Sequence, residues 1–352
     1  MKAVTFHGAL NLKVEEVPDP KILQPNDAIL KVTTAAICGS DMHVYDGRMP
    51  LPPTGWIIGH EYIGEVVEVG SGITNFKPGD RAVGSFVSAC GECWYCKAGW
   101  PSVCTSQMPF GFLALPGAQA QFVRVPNAHY TLAKVPDGVS DEKAIFVGDI
   151  LSTGYFAADR ADIKHGDVVA VVGSGPVGLF AQQSALLFEP KAVLAIDSMP
   201  ERLEMSKKLG AIPINMNEVD PVAAVKEHSE GRGADVVLEA VGIQPSLEST
   251  FRYVRPAGTI SAVGMYTEPT FPFPMFHAFL RDITFKIGMC PVERYMGKLL
   301  DIIAQGKMDP SFIVTHTLPL DEAPHGYDIF TNRTENCIKV LLKPWEQVAS
   351  SK

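Results

Sequence analysis

The sequence predicts an α/β protein with two domains, one mostly β and the other built on a doubly wound parallel sheet. The chain has 352 residues, and a typical domain has about 150, so two full cores fit. Residues 1 to 150 are rich in glycine and proline and carry short β-branched runs. Residues 151 to 288 instead alternate apolar runs with segments of helical spacing, which is typical of a parallel sheet covered by helices.

Short strands and turns are predicted in the first region. β-branched residues are concentrated in AILKVTTAAI (28–37) and GEVVEVG (64–70), as is typical of strands. FKPGDRAVG (76–84) holds a Pro-Gly turn followed by a further strand. Beyond the second region, the sequence predicts a helix at 292–306 and a final strand at 337–344.

The second region has the pattern of buried parallel strands. VVAVVG (168–173) is a continuous apolar run that ends in glycine, which indicates a strand buried on both faces. The helix predicted at 200–211 opens with proline and closes at glycine, as helices commonly do. The other predicted strands are AVLAID (192–197), ADVVLEAVG (234–242) and GTISAVG (258–264), and the other helices are PVGLFAQQSALLFE (176–189) and QPSLESTFRYV (244–254).

Composition and charge exclude several classes of function. The formal net charge is −9 and 46% of the residues are hydrophobic, so we expect a globular protein with no nucleic-acid or anionic-membrane partner. The N-terminal segment lacks the apolar core of a secretion signal, and no run of about eighteen apolar residues predicts a membrane span. We therefore expect a cytoplasmic protein. In that reducing compartment, clustered cysteines favour metal binding over disulfides.

The motif Gly173-Ser-Gly175-Pro176-Val177-Gly178 lies between the first buried strand and the helix after it. Glycine lets the backbone turn tightly and approach a pyrophosphate, and the helix N-terminus offers unpaired N–H groups to the anion. Pro176 suits the first helical turn, where a missing N–H costs little. The motif predicts a dinucleotide site, the alternative being a tight strand–helix turn without a ligand.

The residue that ends the next strand predicts which dinucleotide binds. Asp197 follows Gly178 by nineteen residues. A carboxylate there accepts hydrogen bonds from a ribose diol and repels a 2′-phosphate, which favours NAD over NADP. Arg202 lies nearby in sequence and is positioned either to lean toward the adenine or to offset part of that repulsion.

Four of the chain's seven cysteines, Cys90, Cys93, Cys96 and Cys104, fall within fifteen residues. Their spacing suits four thiolates that close a tetrahedral zinc site and leave no position for substrate. A redox pair is a weaker interpretation, because two more cysteines share the loop. A nucleic-acid-binding zinc ribbon is also weaker, because Lys97 is the only basic residue there. We predict a structural zinc lobe over about residues 88–106.

A second group of potential metal ligands is spread along the chain. Cys38 in CGSD and His60 in GHE are a soft thiolate and an imidazole, good zinc ligands when a fold brings them together. Taken alone, a buried cysteine and a Gly-flanked histidine are more often structural. Glu61 and Asp149 add hard oxygen donors. Asp149 precedes the dinucleotide region, where a cleft between domains is expected, although a helix cap is the ordinary role of such a carboxylate.

CGSD, GHExxGxVxxVG, the four-cysteine lobe and GSGPVG occur here in the order typical of the zinc-dependent medium-chain alcohol dehydrogenases, and the sequence resembles that family along essentially its whole length. The resemblance implies a GroES-like, mostly β catalytic domain formed by residues 1–150 and 289–352, with a Rossmann NAD-binding domain at 151–288. It also implies two zinc ions per chain, one catalytic and one structural. Relatives form dimers or tetramers with the cofactor domain at the dimer contact, so a homo-oligomer is expected.

The resemblance assigns the catalytic zinc to Cys38, His60 and Asp149, with one position left for substrate and Glu61 as a movable ligand. Many alcohol dehydrogenases place two cysteines and one histidine on this zinc, whereas Asp149 stands at the third position here. That departure resembles the bacterial secondary-alcohol dehydrogenases. Those relatives often lack the cysteine lobe, so this sequence combines two patterns and leaves the subfamily open.

The resemblance also implies roles for residues that do not bind metal. Ser40 would contact the alcohol oxygen, and His43 would continue a proton path toward solvent. The backbone from Val263 to Met265 and the side chain of Lys339 would lie along the cofactor.

The expected activity is NAD-dependent hydride transfer between an apolar alcohol, secondary or aromatic, and its ketone or aldehyde. Zinc with an open position acts as a Lewis acid on such a small-molecule substrate. Trp56, Trp94, Phe110 and Met289 fall near segments that line the pocket in relatives, with core or subunit packing as the equal alternative. Two rival functions stay open: a polyol or threonine-type zinc dehydrogenase, and a non-catalytic protein that binds zinc and dinucleotide.

Overall fold

The described residues, 1–49 and 53–347 of a computed structural model, divide into two units by their internal contacts. Unit 1 comprises Met1–Ser152 and Pro291–Lys352, and unit 2 comprises Thr153–Cys290. Unit 1 is therefore assembled from both ends of the chain, and unit 2 from one continuous segment.

Strands supply the framework of both units. In chain order they are β1 (Lys2–Phe6), β2 (Leu12–Glu16), β3 (Ala28–Ile37), β4 (Trp56–Ile57), β5 (Glu61–Val69), β6 (Arg81–Gly84), β7 (Val87–Ser88), β8 (Met108–Pro109), β9 (Phe122–Val125), β10 (Leu132–Lys134), β11 (Val168–Val172), β12 (Ala192–Asp197), β13 (Ile212–Asn215), β14 (Ala234–Glu239), β15 (Val254–Ala262), β16 (Thr284–Ile287), β17 (His316–Pro319) and β18 (Val340–Lys343).

Most of the longer helices belong to unit 2. In chain order the α-helices are α1 (Asp41–Tyr45), α2 (Trp94–Lys97), α3 (Ala128–Thr131), α4 (Asp141–Ala144), α5 (Ile150–Arg160), α6 (Pro176–Leu186), α7 (Pro200–Lys208), α8 (Pro221–His228), α9 (Gln244–Tyr253), α10 (Met275–Leu280), α11 (Met296–Ala304) and α12 (Ala323–Asn332). Short 3-10 turns occur at Pro101–Val103, Ile145–Gly148, Val292–Arg294, Pro310–Ile313 and Leu320–Glu322. Within 1–49 and 53–347, no helix combines the length and apolarity that crossing a bilayer requires.

The main sheet of unit 1 has the strand order β10-β6-β5-β3-β18-β17, with β9 also paired to β3. β3 is its centre, because it pairs antiparallel with β5 on one side and with β18 on the other. In these registers Ala36 stands opposite Glu61, and Ile37 stands opposite Val340. Buried side chains such as Leu30 and Ile37 fill the core beneath the sheet. The register brings residues near positions 38, 61 and 339 to the same end of the sheet.

Unit 2 is built on one parallel sheet with the strand order β13-β12-β11-β14-β15-β16. Every pairing in it is parallel. All five residues of β11 and all six of β14 are buried, as strands covered on both faces require. The order reverses between β11 and β14, which is the topological switch point of a doubly wound sheet. The predicted parallel sheet is confirmed.

Several elements of unit 2 lie outside the sequence prediction, among them β13, β16, α8 and α10. β13 is four residues long and contains Pro213, so it lacks the long apolar run that indicates a buried strand. The edge strand β16 is only partly buried. α8 does carry a start signal in the sequence, because Asp220 directly precedes Pro221, the first residue of the helix. The Asp220 side chain caps the helix by accepting a hydrogen bond from Val222 N. In unit 1, the helix predicted at 292–306 begins as a 3-10 turn and becomes α-helical at Met296.

Candidate active site and metal centres

The four dispersed metal-ligand candidates meet at one end of the central sheet of unit 1. Cys38 directly follows β3, His60 and Glu61 stand at the start of β5, and Asp149 directly precedes α5. Their ligand atoms all lie within 4.8 Å of one another, and all four residues are buried. The register of β3 on β5, with Ala36 opposite Glu61, explains why the first two segments converge.

Asp149 reaches this cluster because a glycine precedes it. A Cβ on Gly148 would lie 2.1 Å from the carbonyl oxygen of Gly84, so only glycine lets this segment pack so closely against β6. Asp149 Oδ2 lies 3.5 Å from Cys38 Sγ and 3.2 Å from His60 Nε2. Adjacent ligands of a tetrahedral zinc are about 3.3 to 3.5 Å apart for these atom types, given metal–ligand bonds of about 2.0 to 2.3 Å. The cluster therefore fits a zinc ion.

Burial shapes the protonation of the cluster. It raises the pKa of the Cys38 thiol to about 11, and the carboxylates of Asp149 and Glu61 add to the rise. Burial alone would lower the pKa of His60, but the carboxylates of Asp41 and Asp149 hold that pKa well above its ordinary value. A metal ion binds thiolate and neutral imidazole, so metal and protons compete for these ligands.

Asp41, absent from the predicted set, orients the histidine ligand. Its Oδ1 lies 3.0 Å from His60 Nδ1, and its Oδ2 accepts a hydrogen bond from Cys38 N at 2.9 Å. A metal-bound histidine commonly turns its second nitrogen to a carboxylate, which fixes the tautomer. The sequence held a signal for this role, since Asp41 stands three residues after Cys38 in CGSD.

Lys339, which the resemblance places along the cofactor, is paired with Glu61 in the ligand cluster. Its side chain is wholly buried, and its Nζ lies 2.5 Å from Glu61 Oε2 and donates to the Ile37 carbonyl oxygen at 2.8 Å. The reason is the pairing of β18 with β3, which seats Lys339 beside the first residue of β5. Burial raises the pKa of Glu61 to about 7, although Lys339 lowers it. The ammonium therefore offsets the negative charge of Glu61.

The two candidates for proton transfer differ in their closeness to the ligands. Ser40 Oγ lies 3.0 Å from His60 Nε2 and donates to Cys38 Sγ at 3.3 Å. His43 stands one helical turn further on in α1 and is half-buried. Burial, helped by the charge of Arg48, lowers the pKa of His43, and its Nδ1 has no hydrogen-bond partner among the described residues. A neutral histidine with a free nitrogen suits proton transfer near neutral pH.

The four clustered cysteines form a second metal-ligand group in unit 1. Their Sγ atoms are 3.5 Å apart in the pairs Cys93–Cys96 and Cys90–Cys104, and 3.9 Å apart in the pairs Cys90–Cys96 and Cys93–Cys104. A tetrahedral zinc with Zn–S bonds of about 2.3 Å has S–S edges of about 3.8 Å, whereas a disulfide bond is about 2.05 Å long. Hydrogen bonds, foremost from the backbone of Cys96, lower the pKa of Cys93 to about 6. The lobe fits a closed zinc site.

The predicted glycine loop turns at the carboxyl end of β11. Gly173 has a φ of +92°, and a Cβ on Gly178 would lie 1.9 Å from the Gly173 carbonyl oxygen, so both positions require glycine. α6 begins at Pro176, directly after Gly175, with Val177 in its first turn. The loop thus has the close turn and the helix start that a pyrophosphate site needs.

Asp197, at the end of β12, is joined to the glycine loop by a hydrogen bond that the sequence does not predict. Its Oδ2 accepts from Ser174 N at 2.6 Å, and its Oδ1 accepts from Ser198 N at 2.7 Å and from Met199 N at 2.9 Å. Arg202 Nη1 lies 4.0 Å from Asp197 Oδ2. The carboxylate therefore couples the second strand of the sheet to the glycine loop.

Val263 and Met265 lie at the same carboxyl edge of the sheet, just after β15. Val263 N donates to the Glu239 carbonyl oxygen at 2.9 Å. A Cβ on Gly264 would lie 2.2 Å from Gly242 N, so the segments after β14 and β15 are in backbone contact. Ligands of doubly wound sheets bind at this edge.

Aromatic rings flank His60, but they are not the predicted ones. The ring centres of Phe112 and Phe86 lie 5.8 and 6.3 Å from that of His60. Phe110, a predicted pocket residue, is wholly buried in the core and packs against Tyr62 at 5.1 Å between ring centres. Gly111, which separates the two phenylalanines, has a φ of +75°, so the chain turns there and residues 110 and 112 do not share one face as they would in a regular strand.

The other substrate candidates have separate surroundings. Trp56 donates its Nε1 hydrogen to the Phe112 carbonyl oxygen at 2.8 Å, and so stands beside a residue that flanks His60. Trp94 is 73% exposed on the cysteine lobe and packs against Tyr95. Met289, in unit 2, is partly exposed. Among the candidates in unit 1, Trp56 is the one that contacts a residue flanking His60.

Two family models match the chain: one described as alcohol dehydrogenase GroES-like domain covers residues 24–137, and one described as zinc-binding dehydrogenase covers residues 176–305. Zinc-type alcohol dehydrogenase B of Aspergillus flavus is 42% identical over 356 residues, covering 98% of this chain and 82% of that protein. Sorbitol dehydrogenase of Bacillus subtilis is 32% identical, with 98% and 97% covered. The solved alcohol dehydrogenase TADH from Thermus sp. ATN1 is 43% identical with a TM-score of 0.94, over 97% of this chain and 99% of that one.

Two more distant solved structures hold different dinucleotides. A zinc-binding dehydrogenase from Sinorhizobium meliloti 1021, bound to NADP, is 27% identical with a TM-score of 0.86. An alcohol dehydrogenase from Escherichia coli CFT073, complexed with NADH, is 26% identical with a TM-score of 0.86. Each similarity covers 97% of this chain and 99% of the other.

Proposed function

The chain belongs to the zinc-dependent medium-chain alcohol dehydrogenase family, and from this premise we propose that it is an NAD-dependent enzyme that interconverts an apolar secondary or aromatic alcohol and its carbonyl compound. Its mostly β unit and its parallel-sheet unit have the GroES-like and Rossmann folds that the sequence predicts. We place the enzyme in the cytoplasm, where its seven cysteines stay reduced.

The convergence of Cys38, His60 and Asp149 carries the proposal. A sulfur, a nitrogen and an oxygen donor from three distant segments lie within 4.8 Å of one another, and three protein ligands leave a tetrahedral ion one position for a substrate oxygen. Zinc held there supplies Lewis acidity, which acidifies an alcohol and polarises a carbonyl group. The second zinc, held by four thiolates, stabilises unit 1 and takes no part in the reaction.

Ser40 and His43 provide the route for the alcohol proton. The Ser40 hydroxyl, 3.0 Å from His60 Nε2, is close enough to the ligands to take a hydrogen bond from the substrate hydroxyl. His43 is half-buried in α1, three residues after Ser40. Its unpartnered Nδ1 and lowered pKa let it accept and release a proton near neutral pH.

We propose NAD as the cofactor because a carboxylate ends β12. Each carboxylate oxygen accepts two hydrogen bonds, so Asp197 retains a lone pair for a ribose hydroxyl besides its backbone donors, and it repels a 2′-phosphate. Arg202, 4.0 Å away, is the group that would favour NADP. A higher kcat/KM with NADP than with NAD would contradict this assignment.

Phe86 and Phe112 support an apolar substrate. Their rings lie within 6.3 Å of the His60 ring and so give the ligand cluster an aromatic wall, which binds an alkyl or aryl group better than a polyol chain. A polyol or threonine-type dehydrogenase is the second candidate, and the relative named sorbitol dehydrogenase supports it.

We propose that the enzyme is a homo-oligomer, a dimer or tetramer, that assembles through unit 2. The helix α10 exposes the large apolar side chains Met275, Phe276, Phe279 and Leu280, each more than 60% accessible. Exposed apolar surface of this kind usually marks a protein contact, and a second copy of the same chain is the commonest partner. Sedimentation velocity of the wild type and of Phe279→Ser tests this proposal.

A panel assay tests the proposed reaction. Butan-2-ol, a benzylic alcohol, sorbitol and L-threonine are offered with NAD and with NADP to enzyme of measured zinc content. We expect two zinc ions per chain and fastest turnover of butan-2-ol or the aromatic alcohol with NAD. Asp149→Asn should lose turnover and keep the cysteine-bound zinc. One tightly held zinc ion with no turnover would instead support a non-catalytic protein that binds zinc and dinucleotide. A preference for sorbitol or L-threonine would support a polyol or threonine-type dehydrogenase.

A further inference from the structure

A chain of buried polar side chains connects the histidine ligand to the C-terminal part of unit 1. Gln119 is wholly buried. Its Nε2 donates to the Ala36 carbonyl oxygen at 3.1 Å and to Asp41 Oδ2 at 3.4 Å, and its Oε1 accepts from Tyr327 Oη at 2.9 Å. Tyr327 lies on α12 and is also wholly buried. The side chain of Gln119 therefore bridges α12 and the carboxylate that faces His60.

The partners of Gln119 decide how its amide is turned. The carbonyl oxygen of Ala36 and the carboxylate of Asp41 can only accept, so the amide nitrogen faces them and the amide oxygen faces Tyr327. The Tyr327 hydroxyl must then donate, and every hydrogen in the chain points toward Asp41. With its Oδ2 occupied in this way, Asp41 turns Oδ1 to His60 Nδ1 at 3.0 Å. A proton on Nδ1 leaves Nε2 free for a metal ion.

The stem of Gln119 also packs against the segment that carries His60. Its backbone N donates to the Ile58 carbonyl oxygen at 3.1 Å. Gly59 has a φ of +87°, and a Cβ there would lie 2.3 Å from Gln119 Cγ. Gln119 thus touches both ligand-bearing segments: the turn from Cys38 to Asp41 through its amide, and the residue before His60 through its methylene groups.

We propose that Gln119, supported by Tyr327, is a positioning residue for the catalytic metal: it holds Asp41 in the orientation that presents His60 Nε2 to the ion. This inference rests on the proposed zinc site at Cys38, His60 and Asp149. The side-chain hydrogen bonds of Gln119 go to Ala36, Asp41 and Tyr327 and none goes to a ligand atom, so Gln119 acts through Asp41.

Removal of the amide should weaken metal binding at this centre alone. Gln119→Met keeps the length and apolar stem and deletes both hydrogen-bonding atoms. Changing an outer partner of a metal ligand typically costs 10- to 100-fold in metal affinity, and we expect about a tenfold loss here. Tyr327→Phe removes a hydroxyl that donates to the Gln119 oxygen and also lies near Asp41, so a several-fold loss is expected. Gln121→Met is the matched control, because Gln121 bonds to Lys2 N and to the Pro344 carbonyl oxygen.

The experiment is a Co²⁺ titration of the full-length protein after the catalytic zinc is removed by mild chelation, with the cysteine-bound zinc verified by metal analysis. Absorption of the cobalt–thiolate chromophore reports binding at Cys38. Each variant is also made in an Asp41→Asn background. We expect the loss from Gln119→Met to shrink below about twofold there, because contacting residues are non-additive.

Three outcomes would overturn the inference: unchanged Co²⁺ affinity in both Gln119→Met and Tyr327→Phe, an equal loss in Gln121→Met, or losses for Gln119→Met and Asp41→Asn that simply multiply. If Gln119→Met does not retain its cysteine-bound zinc and native circular dichroism, Tyr327→Phe decides. A wild-type protein that takes up no Co²⁺ at Cys38 would overturn the proposed function itself, and the inference with it, so the two failures are distinguishable.

Discussion

Glu293 is a buried carboxyl group that the proposed reaction does not use. Neither of its oxygens has a hydrogen-bond partner within the described part of the chain. Burial raises its pKa from the ordinary 4.5 to about 7, and the nearby backbone N–H of Glu293 and hydroxyl of Ser85, which make no hydrogen bond of good geometry to it, offset only part of this rise. The titratable groups facing it are Tyr62 and Tyr130. Burial, and then Glu293, raises the pKa of Tyr62 well above its ordinary value and that of Tyr130 to about 12, so both stay neutral below pH 9.

The pH dependence of stability follows from this shift. The folded state keeps the Glu293 proton up to about pH 7, whereas the unfolded chain releases it near 4.5, so the folded state binds more protons between these values. Stability therefore falls as the pH rises through this window and levels off above it. Between about pH 5.5 and 8.5 the loss from this one group is about 2 kcal/mol. Glu293→Gln removes the titration, so it should gain about 2 kcal/mol relative to wild type over that range.

Urea unfolding at a series of pH values measures this difference. All four tryptophans belong to unit 1, so tryptophan fluorescence follows the unit that contains Glu293. The quantity of interest is the variant minus wild-type difference, because proton competition at the metal ligands then cancels. Glu68→Gln, at an exposed position of β5, is the control and should give a flat difference. A flat difference for Glu293→Gln as well would refute the reasoning from burial.

Three further substitutions test other parts of the structure. Lys339→Met leaves the Glu61 carboxylate buried and unpaired, so we expect the free energy of unfolding to fall by about 3 kcal/mol. The control Lys343→Met should lower it by less than about 1 kcal/mol, because the pair of Lys343 with Glu142 is partly exposed. Equal losses in urea unfolding would contradict the argument from the buried charge. Gly59→Ala places a Cβ 2.3 Å from Gln119 Cγ, whereas Gly55 has a similar positive φ but open space around its Cβ position. Only Gly59→Ala should therefore weaken Co²⁺ binding. An equal loss of Co²⁺ affinity in Gly55→Ala would show that backbone strain, and not contact with Gln119, is the cause. Cys96→Ser should remove one zinc by metal analysis and lower the melting temperature, while the folded fraction keeps its KM for alcohol; a changed KM would implicate the lobe in the reaction.

Features with a local signal could be predicted from the sequence. The apolar run at 168–172 identifies a buried strand without any knowledge of its neighbours, and the cysteine spacing restricts the lobe to one kind of metal site. The glycine loop belongs to the same class, because the positive φ of Gly173 and the close approach at Gly178 are demands that only glycine meets. Resemblance to a family added Asp149, whose own surroundings in sequence also suit a helix cap.

Contacts between distant residues could not be predicted in the same way. The hydrogen bond from Tyr327 to Gln119 spans 208 positions, and that from Lys339 to Ile37 spans 302. Both depend on how β18 and α12 pack against the N-terminal strands, which no short pattern encodes. The pairing of Lys339 with Glu61 follows from the register of β18 on β3, which turns the lysine side chain into the ligand cluster.

The division of unit 1 between the two chain ends sets the order of events during synthesis. β3 receives its partner β18 only when Lys343 has been translated, about 190 residues after Ser152, and ribosomes add about 5 to 20 residues per second. For on the order of 10 to 40 s, while the whole of unit 2 is synthesised, residues 35–37 of β3 lack the partner strand that β18 later supplies, whereas residues 28–31 can already pair with β9. Glu61 therefore gains its buried partner Lys339 only after the whole of unit 2 has been synthesised.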